Sequence, residues 1–167
     1  MVIVVMGVAG CGKSHVGKAL ADAMDWDFQD GDDLHPAANI EKMRAGEPLD
    51  DADRGPWLDR VADWIRRHHL DGRDGIVACS ALTRRYRDRL READDGLRFV
   101  FLDVPTQVLR RRLERRQHFM PARLLESQLQ TLERPGALES GLTVAGDPPL
   151  ADVVEAVQSW LLRIGRH

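Results

Sequence analysis

The sequence predicts an α/β fold, a parallel β-sheet with helices on both faces. Three observations carry that expectation. Strand-like and helix-like segments alternate from end to end of the 167 residues. Val2–Met6 is a continuous apolar run, mostly β-branched, as in a strand buried on both faces. The stretch GVAGCGKS, Gly7–Ser14, leaves that strand directly and opens a helix-like segment.

After the first strand, KSHVGKALADAM (13–24) reads as a helix with Val16, Ala19, Leu20 and Ala23 on one side. DWDFQD (25–30) is a short second strand. AANIEKMRAG (37–46) is helix-like and ends at Gly46, a suitable C-cap. EPLDDADRGPW (47–57) reads as a loop. WLDRVADWIRRHHL (57–70) returns to helical spacing through Leu58, Val61, Trp64 and Ile65. GIVACSAL (75–82) is a third strand with its turn, and TRRYRDRLREA (83–93) a helix. LRFVFLDVP (97–105) is a fourth strand stopped by Pro105. TQVLRRRLERR (106–116) is a helix with Thr106 as expected N-cap. QHFMP (117–121) breaks it, and ARLLESQLQTLERPG (122–136) is another helix. GLTVAGDPP (141–149) is a short fifth strand, and LADVVEAVQSWLLRIG (150–165) a terminal amphipathic helix. There is no internal repeat, low-complexity tract or long linker, so 1–167 reads as one domain.

Composition narrows the function classes. Net charge is −3, with 43% hydrophobic and 31% charged residues, which is globular and gives no global attraction to nucleic acid or anionic membrane. The arginine run 110–116 has no aromatic-rich basic surface beside it, so nucleic acid is not expected as a partner. No apolar run approaches the roughly 18 residues of a membrane span. The two cysteines, Cys11 and Cys79, form no CxxC pair and have no metal-ligand spacing, as expected of reduced thiols in a cytoplasmic protein.

GVAGCGKS fits G-x-x-x-x-G-K-[ST] at every fixed position and has the strand before it and the helix after it. Gly7, Val8, Ala9, Gly10, Cys11 and Gly12 form a loop whose backbone N–H groups can turn inward around phosphate oxygens. The helix that follows adds its positive end. Lys13 can bridge the outer phosphates and Ser14 can ligate Mg²⁺. A nucleoside triphosphate with Mg²⁺ is the implied ligand. The loop alone does not separate a kinase from a switch GTPase or an ATPase.

The second candidate feature is DGDDLHPAANIEKM, 30–43. It leaves the second strand where the phosphate loop leaves the first, so both can face one cleft. Carboxylates beside a triphosphate are repelled unless a cation or a proton donor intervenes. Asp30 and Asp32, separated by Gly31, are therefore read as a Mg²⁺ group or a proton acceptor, and Asp33 as a helix cap ahead of a substrate contact. Asp103, at the end of the fourth strand, is a rival metal group.

The same stretch, continued through MRAGEPLDDADRGPWL, resembles the signature segment of the gluconokinases of the shikimate-kinase-like P-loop group. The phosphate loop, ACSALTRRYRDRLR and HFMPARLLESQLQTLE also resemble that family, in the same order along essentially the whole chain. The resemblance implies a three-layer P-loop kinase fold, with a five-stranded parallel sheet in the order 2-3-1-4-5. It also implies a short mobile lid near 116–124 and a substrate-binding helical segment near 33–70. The implied reaction is ATP-dependent phosphorylation of D-gluconate at its 6-hydroxyl, with ATP and Mg²⁺ as cofactors. Asp30 would then sit near the metal and Asp32 would hold the acceptor hydroxyl.

An anionic substrate calls for a cation. Arg54 is the first candidate for its carboxylate, ahead of Lys42, Arg84 and Arg87. His35 either bonds a sugar hydroxyl or closes the turn. Ser80 either contacts substrate or caps a buried turn, and Trp57 could wall the sugar pocket. Arg115 and Arg116 are both candidates for a lid arginine over ATP, with Arg116 preferred. Residues 143–149 are expected to border the adenine. A homodimer is a default expectation, since symmetric pairs are commonest. The rival readings are another small-molecule kinase of this architecture, such as shikimate kinase, and a regulatory GTPase. The second would carry an N-K-x-D motif, yet Asn39 is the sole asparagine.

Overall fold

The structure is a computed structural model and describes residues 1–116 and 122–165. Five parallel strands, β1 (Val2–Met6), β2 (Asp27–Asp30), β3 (Gly75–Ala78), β4 (Arg98–Asp103) and β5 (Gly141–Ala145), lie in the order β2-β3-β1-β4-β5. This is the expected sheet. The crossovers are α1 (Lys13–Met24), α2 (Ala37–Arg44), α3 (Asp51–Leu70), α4 (Arg84–Arg91), α5 (Thr106–Arg115) and α6 (Ala122–Thr131), and α7 (Leu150–Ile164) follows β5.

Alternation along β1 divides the core in two. Ile3 and Val5 join Val16 and Leu20 of α1, Leu109 and Leu113 of α5, and Val153 and Val157 of α7. Val2, Val4 and Met6 face Trp57, Leu58, Val61 and Ile65 of α3 and Leu90 of α4. Every residue of β1 is fully buried, so a continuous apolar run is what the position requires. The edge strand β5 alternates between exposed and half-buried residues instead.

Two local expectations are corrected. The segment 47–57 is not all loop, because α3 begins at Asp51 and runs through Pro56. A capping box holds that start: Asp53 N–H donates to Asp50 Oδ1 at 2.8 Å, and Asp50 N–H donates to Asp53 Oδ2 at 3.1 Å. Burial of Trp57 and Leu58 on the next turn offsets the hydrogen bond that proline cannot make. Thr106 is the first residue of α5 rather than its cap. That place belongs to Pro105, which offers no side-chain hydrogen bond.

Candidate active site

The carboxyl ends of β1, β2 and β3 open onto one cavity of about 340 Å³. Its walls include Ala9, Gly10, Gly12, Lys13 and Ser14 of the phosphate loop, and Asp30, Asp32 and His35 after β2. Arg54 and Trp57 of α3, Ser80 after β3, Arg116, and Gln128 of α6 also line it. The loop's shape depends on glycine. Gly7, Gly10 and Gly12 have φ of 149°, 80° and 94°, and a Cβ on Gly7 would stand 2.6 Å from Cys11 Sγ. Lys13 Nζ donates to Val8 O at 3.2 Å, folding its charge over the loop.

Ser14 and Asp30 meet directly. The serine hydroxyl donates to Asp30 Oδ2 at 2.7 Å, which places the two expected metal groups together. The other oxygen, Oδ1, accepts from Asp32 N–H at 3.0 Å and caps the single 3-10 turn Gly31–Leu34. The cap is therefore Asp30; Asp33 is exposed within that turn and lines the cavity, and α2 starts at Ala37 with Pro36 as an N-cap that offers no side-chain hydrogen bond. This corrects the capping role expected of Asp33. Gly31 is needed for close approach, since a Cβ there would lie 2.3 Å from Ala78 O. Asp32 follows at once and lines the cavity.

His35 is 7% exposed and stacks on Trp57, with ring centroids 4.3 Å apart and planes at 13°. Asn39 fixes its tautomer. The Asn39 amide nitrogen donates to Asp53 O at 2.9 Å and faces His35 Nδ1 at 3.1 Å, so Nδ1 accepts and Nε2 carries the proton. Burial first, and then the nearby Arg54 charge, lower the His35 pKa to about 4. The ring is neutral at physiological pH and offers an N–H. Trp57 Nε1–H donates to Gly31 O at 2.8 Å, tying α3 to the aspartate turn.

Arg54 is 9% exposed. Its Nη1 donates to Tyr86 OH at 3.2 Å, and Tyr86 OH donates in turn to Asp51. Hydrogen bonds from Tyr86 and then Arg85 hold the Asp51 carboxyl below the usual carboxylate range. A buried guanidinium held at its rear and lining a cavity is a ready carboxylate site.

The weaker arginine and lysine candidates lie elsewhere. Lys42 is not in the cavity wall; its ammonium bonds Asp53 at 2.9 Å, an interaction that raises the lysine pKa. Arg84 is on the exposed side of α4. Arg87 is 1% exposed and grips Glu139 at 2.9 and 3.1 Å. It also donates to Ala81 O at 2.9 Å, which supports the turn that presents Ser80. Asp103 pairs with Arg134 at 2.9 Å and does not line the cavity. Arg116 lines the cavity and Arg115 does not. Most of the expected lid, residues 117–121, lies outside the described residues. Burial pushes the Cys79 thiol up to about 12, so it is a packed thiol rather than a nucleophile.

The shikimate kinase family model matches residues 9–136. The chain is 51% identical over 146 residues to the gluconokinase of Gluconobacter oxydans (strain 621H), covering 87% of this chain and 82% of that protein. The chain belongs to the gluconokinase family. It is also 43% identical to the thermoresistant gluconokinase of Escherichia coli (strain K12), over 92% of this chain and 89% of that one. The crystal structure of a gluconokinase from Sinorhizobium meliloti 1021 superposes with a TM-score of 0.88 at 46% identity, covering 97% and 91% of the two chains. Shikimate kinase from Aquifex aeolicus, at TM-score 0.63 and 20% identity over 99% and 98%, shares the fold.

Against that gluconokinase frame, sequence reasoning missed two residues that touch the phosphate loop. Arg112 Nη1 donates to Gly10 O at 3.1 Å and Nη2 to Gly146 O at 3.0 Å, bridging the loop to the turn after β5. It stands three residues from buried Leu109, beside the inward stripe of α5, a signal hidden inside an arginine run. Gln128 reaches the loop from α6, 119 residues away in sequence, and accepts from Ala9 N–H at 2.7 Å.

Proposed function

We propose that the protein transfers the terminal phosphoryl group of ATP to the 6-hydroxyl of D-gluconate, giving 6-phosphogluconate and ADP. One observation supports this most: a single cavity joins a phosphate loop and a carboxylate, Asp32, to a buried guanidinium, Arg54. Gluconate is an anion at one end and a primary alcohol at the other, so its two ends match the two charges.

Each residue has a distinct task. The loop amides and Lys13 hold the phosphates. Asp32 orients the acceptor hydroxyl and takes its proton as the phosphoryl group leaves ATP. Arg54 binds the carboxylate and so sets which hydroxyl reaches Asp32. Neutral His35, through Nε2–H, and Ser80 bond hydroxyls along the sugar chain. Arg116 neutralises the transferring charge from the segment near 116–124, which we read as the lid. The hydroxyl of Ser14 and the carboxylate of Asp30, already 2.7 Å apart, suit Mg²⁺, which takes oxygen donors and keeps few protein ligands. Bound there, Mg²⁺ would neutralise phosphate charge.

The test is ADP release in a coupled assay with purified protein. Gluconate should be turned over, and shikimate and nucleoside monophosphates should not. Turnover of shikimate in place of gluconate would favour the rival kinase reading.

A further inference from the structure

Ala81, in the turn after β3, has a φ of 44°. In that left-handed region a Cβ crowds the carbonyl that follows it. Among the described residues Asp25 is the other non-glycine there, and it caps the end of α1, a place where aspartate tolerates the conformation through its polar side chain. Alanine has no such help, and glycine would take the turn without strain. Ala81 is fully buried, and its neighbours Ser80 and Leu82 both line the cavity. Backbone strain of this kind persists only where the surroundings over-determine it.

Arg87 supplies that constraint from α4. Its Nη1 donates to Ala81 O at 2.9 Å and to Leu82 O at 3.3 Å. Its Nε and Nη2 donate to the two carboxylate oxygens of Glu139 at 2.9 and 3.1 Å. The planar fork therefore has one side for the turn and another for the carboxylate. Glu139 accepts in turn from Gly136 N–H at 2.9 Å, and Glu133 N–H donates to Leu82 O at 2.7 Å, so the segment ahead of β5 backs the same turn. Both charges are buried, Arg87 at 1% and Glu139 at 9% exposure. Replacing such a pair with apolar residues is often neutral for stability, so stability alone does not account for it.

We infer that Arg87 is a positioning residue for the acceptor site: it holds the strained Ala81 turn and so presents the Ser80 hydroxyl to the sugar acid. Arg87 does not line the cavity and acts only through the turn. Released from it, Ala81 relaxes toward negative φ and re-aims Ser80 away from the acceptor.

This inference rests on the gluconate kinase reading, and the experiment separates the two. Initial rates are measured for wild type, for Arg87→Lys alone and with Ala81→Gly, and for Ser80→Ala alone and with Arg87→Lys. Lysine keeps a charge opposite Glu139 and loses the fork that also reaches the turn. Arg87→Lys should raise the gluconate KM about 10-fold, the scale of the bias against a left-handed alanine, with ATP KM near wild type. Adding Ala81→Gly should recover most of that loss, because glycine adopts the turn unaided. In the Ser80→Ala background, Arg87→Lys should add nothing further to the gluconate KM. A wild-type gluconate KM in Arg87→Lys would overturn the inference. So would an increase that Ala81→Gly fails to reverse, or one that persists in full over Ser80→Ala. If Arg87→Lys does not fold, Arg87→Met with Glu139→Gln removes both buried charges and carries the same test. Failure of wild type to phosphorylate gluconate would instead defeat the functional reading.

Discussion

Asp30 and Asp32 stand two residues apart and take opposite parts. Asp30 spends one oxygen on Ser14 and the other on the turn that carries Asp32, and in the proposed reaction Asp32 is the carboxylate that meets the acceptor. Asp32→Asn should therefore keep MgADP affinity in calorimetry while kcat falls about 100-fold; unchanged turnover would return the role to another group. Arg54 depends on Tyr86, whose hydroxyl accepts from the guanidinium. Tyr86→Phe keeps the ring and should raise the gluconate KM by about 5-fold, the scale of one hydrogen bond, with ATP KM and kcat near wild type in initial-rate assays. His35 supplies a pH dependence. It titrates near 4 when folded and near 6.5 when free, so the unfolded chain takes the proton first. Its contribution to stability is full above about pH 6.5 and declines as pH falls toward 4, by up to about 3 kcal/mol. Thermal melts across that range should show a steeper decline for wild type than for His35→Gln. The phosphate loop was legible from its spacing, whereas Asp30, Asp32 and Arg54 were singled out with the help of the family resemblance, which made the expected substrate an anion. Gln128 and the relay through Tyr86 were not, since each depends on residues far apart in sequence meeting across the fold.

At the scale of elements, the strands were readable from apolar runs and the helices from their period, because burial on one or both faces imposes those patterns. The start of α3 was not. Gly55-Pro56 reads as a break, and only the reciprocal bonds of Asp50 and Asp53, with Trp57 and Leu58 buried beyond, show why the helix persists. Asp50→Ala should cost about 1 kcal/mol in denaturant unfolding, the usual value of an N-cap. Because the same helix carries Arg54 and Trp57, gluconate KM should rise more than ATP KM. The end of α2 is tied to that start as well, through Lys42 and Asp53 at 2.9 Å. Lys42, a candidate for the substrate carboxylate behind Arg54, joins the two helices beside the pocket.

Across the whole molecule, the parallel sheet places both halves of the reaction at one edge. The phosphate loop leaves β1, Asp32 follows β2, and Ser80 follows β3, with the strands paired so that Val5 and Asp30 both register with Ala78. The two cores fix α1 on one face and α3 on the other, so the nucleotide end and the guanidinium end of the cavity are set by different layers.

The central claim is that this pocket recognises one substrate by both of its ends. Comparing kcat/KM for D-gluconate with that for glucitol, the uncharged polyol of the same length, tests it most directly. Leaving buried Arg54 without its carboxylate should lower kcat/KM by about 100-fold or more for glucitol, and the product from gluconate should carry its phosphate on carbon 6. Equal kcat/KM for the two polyols, or phosphate on another carbon, would contradict the account.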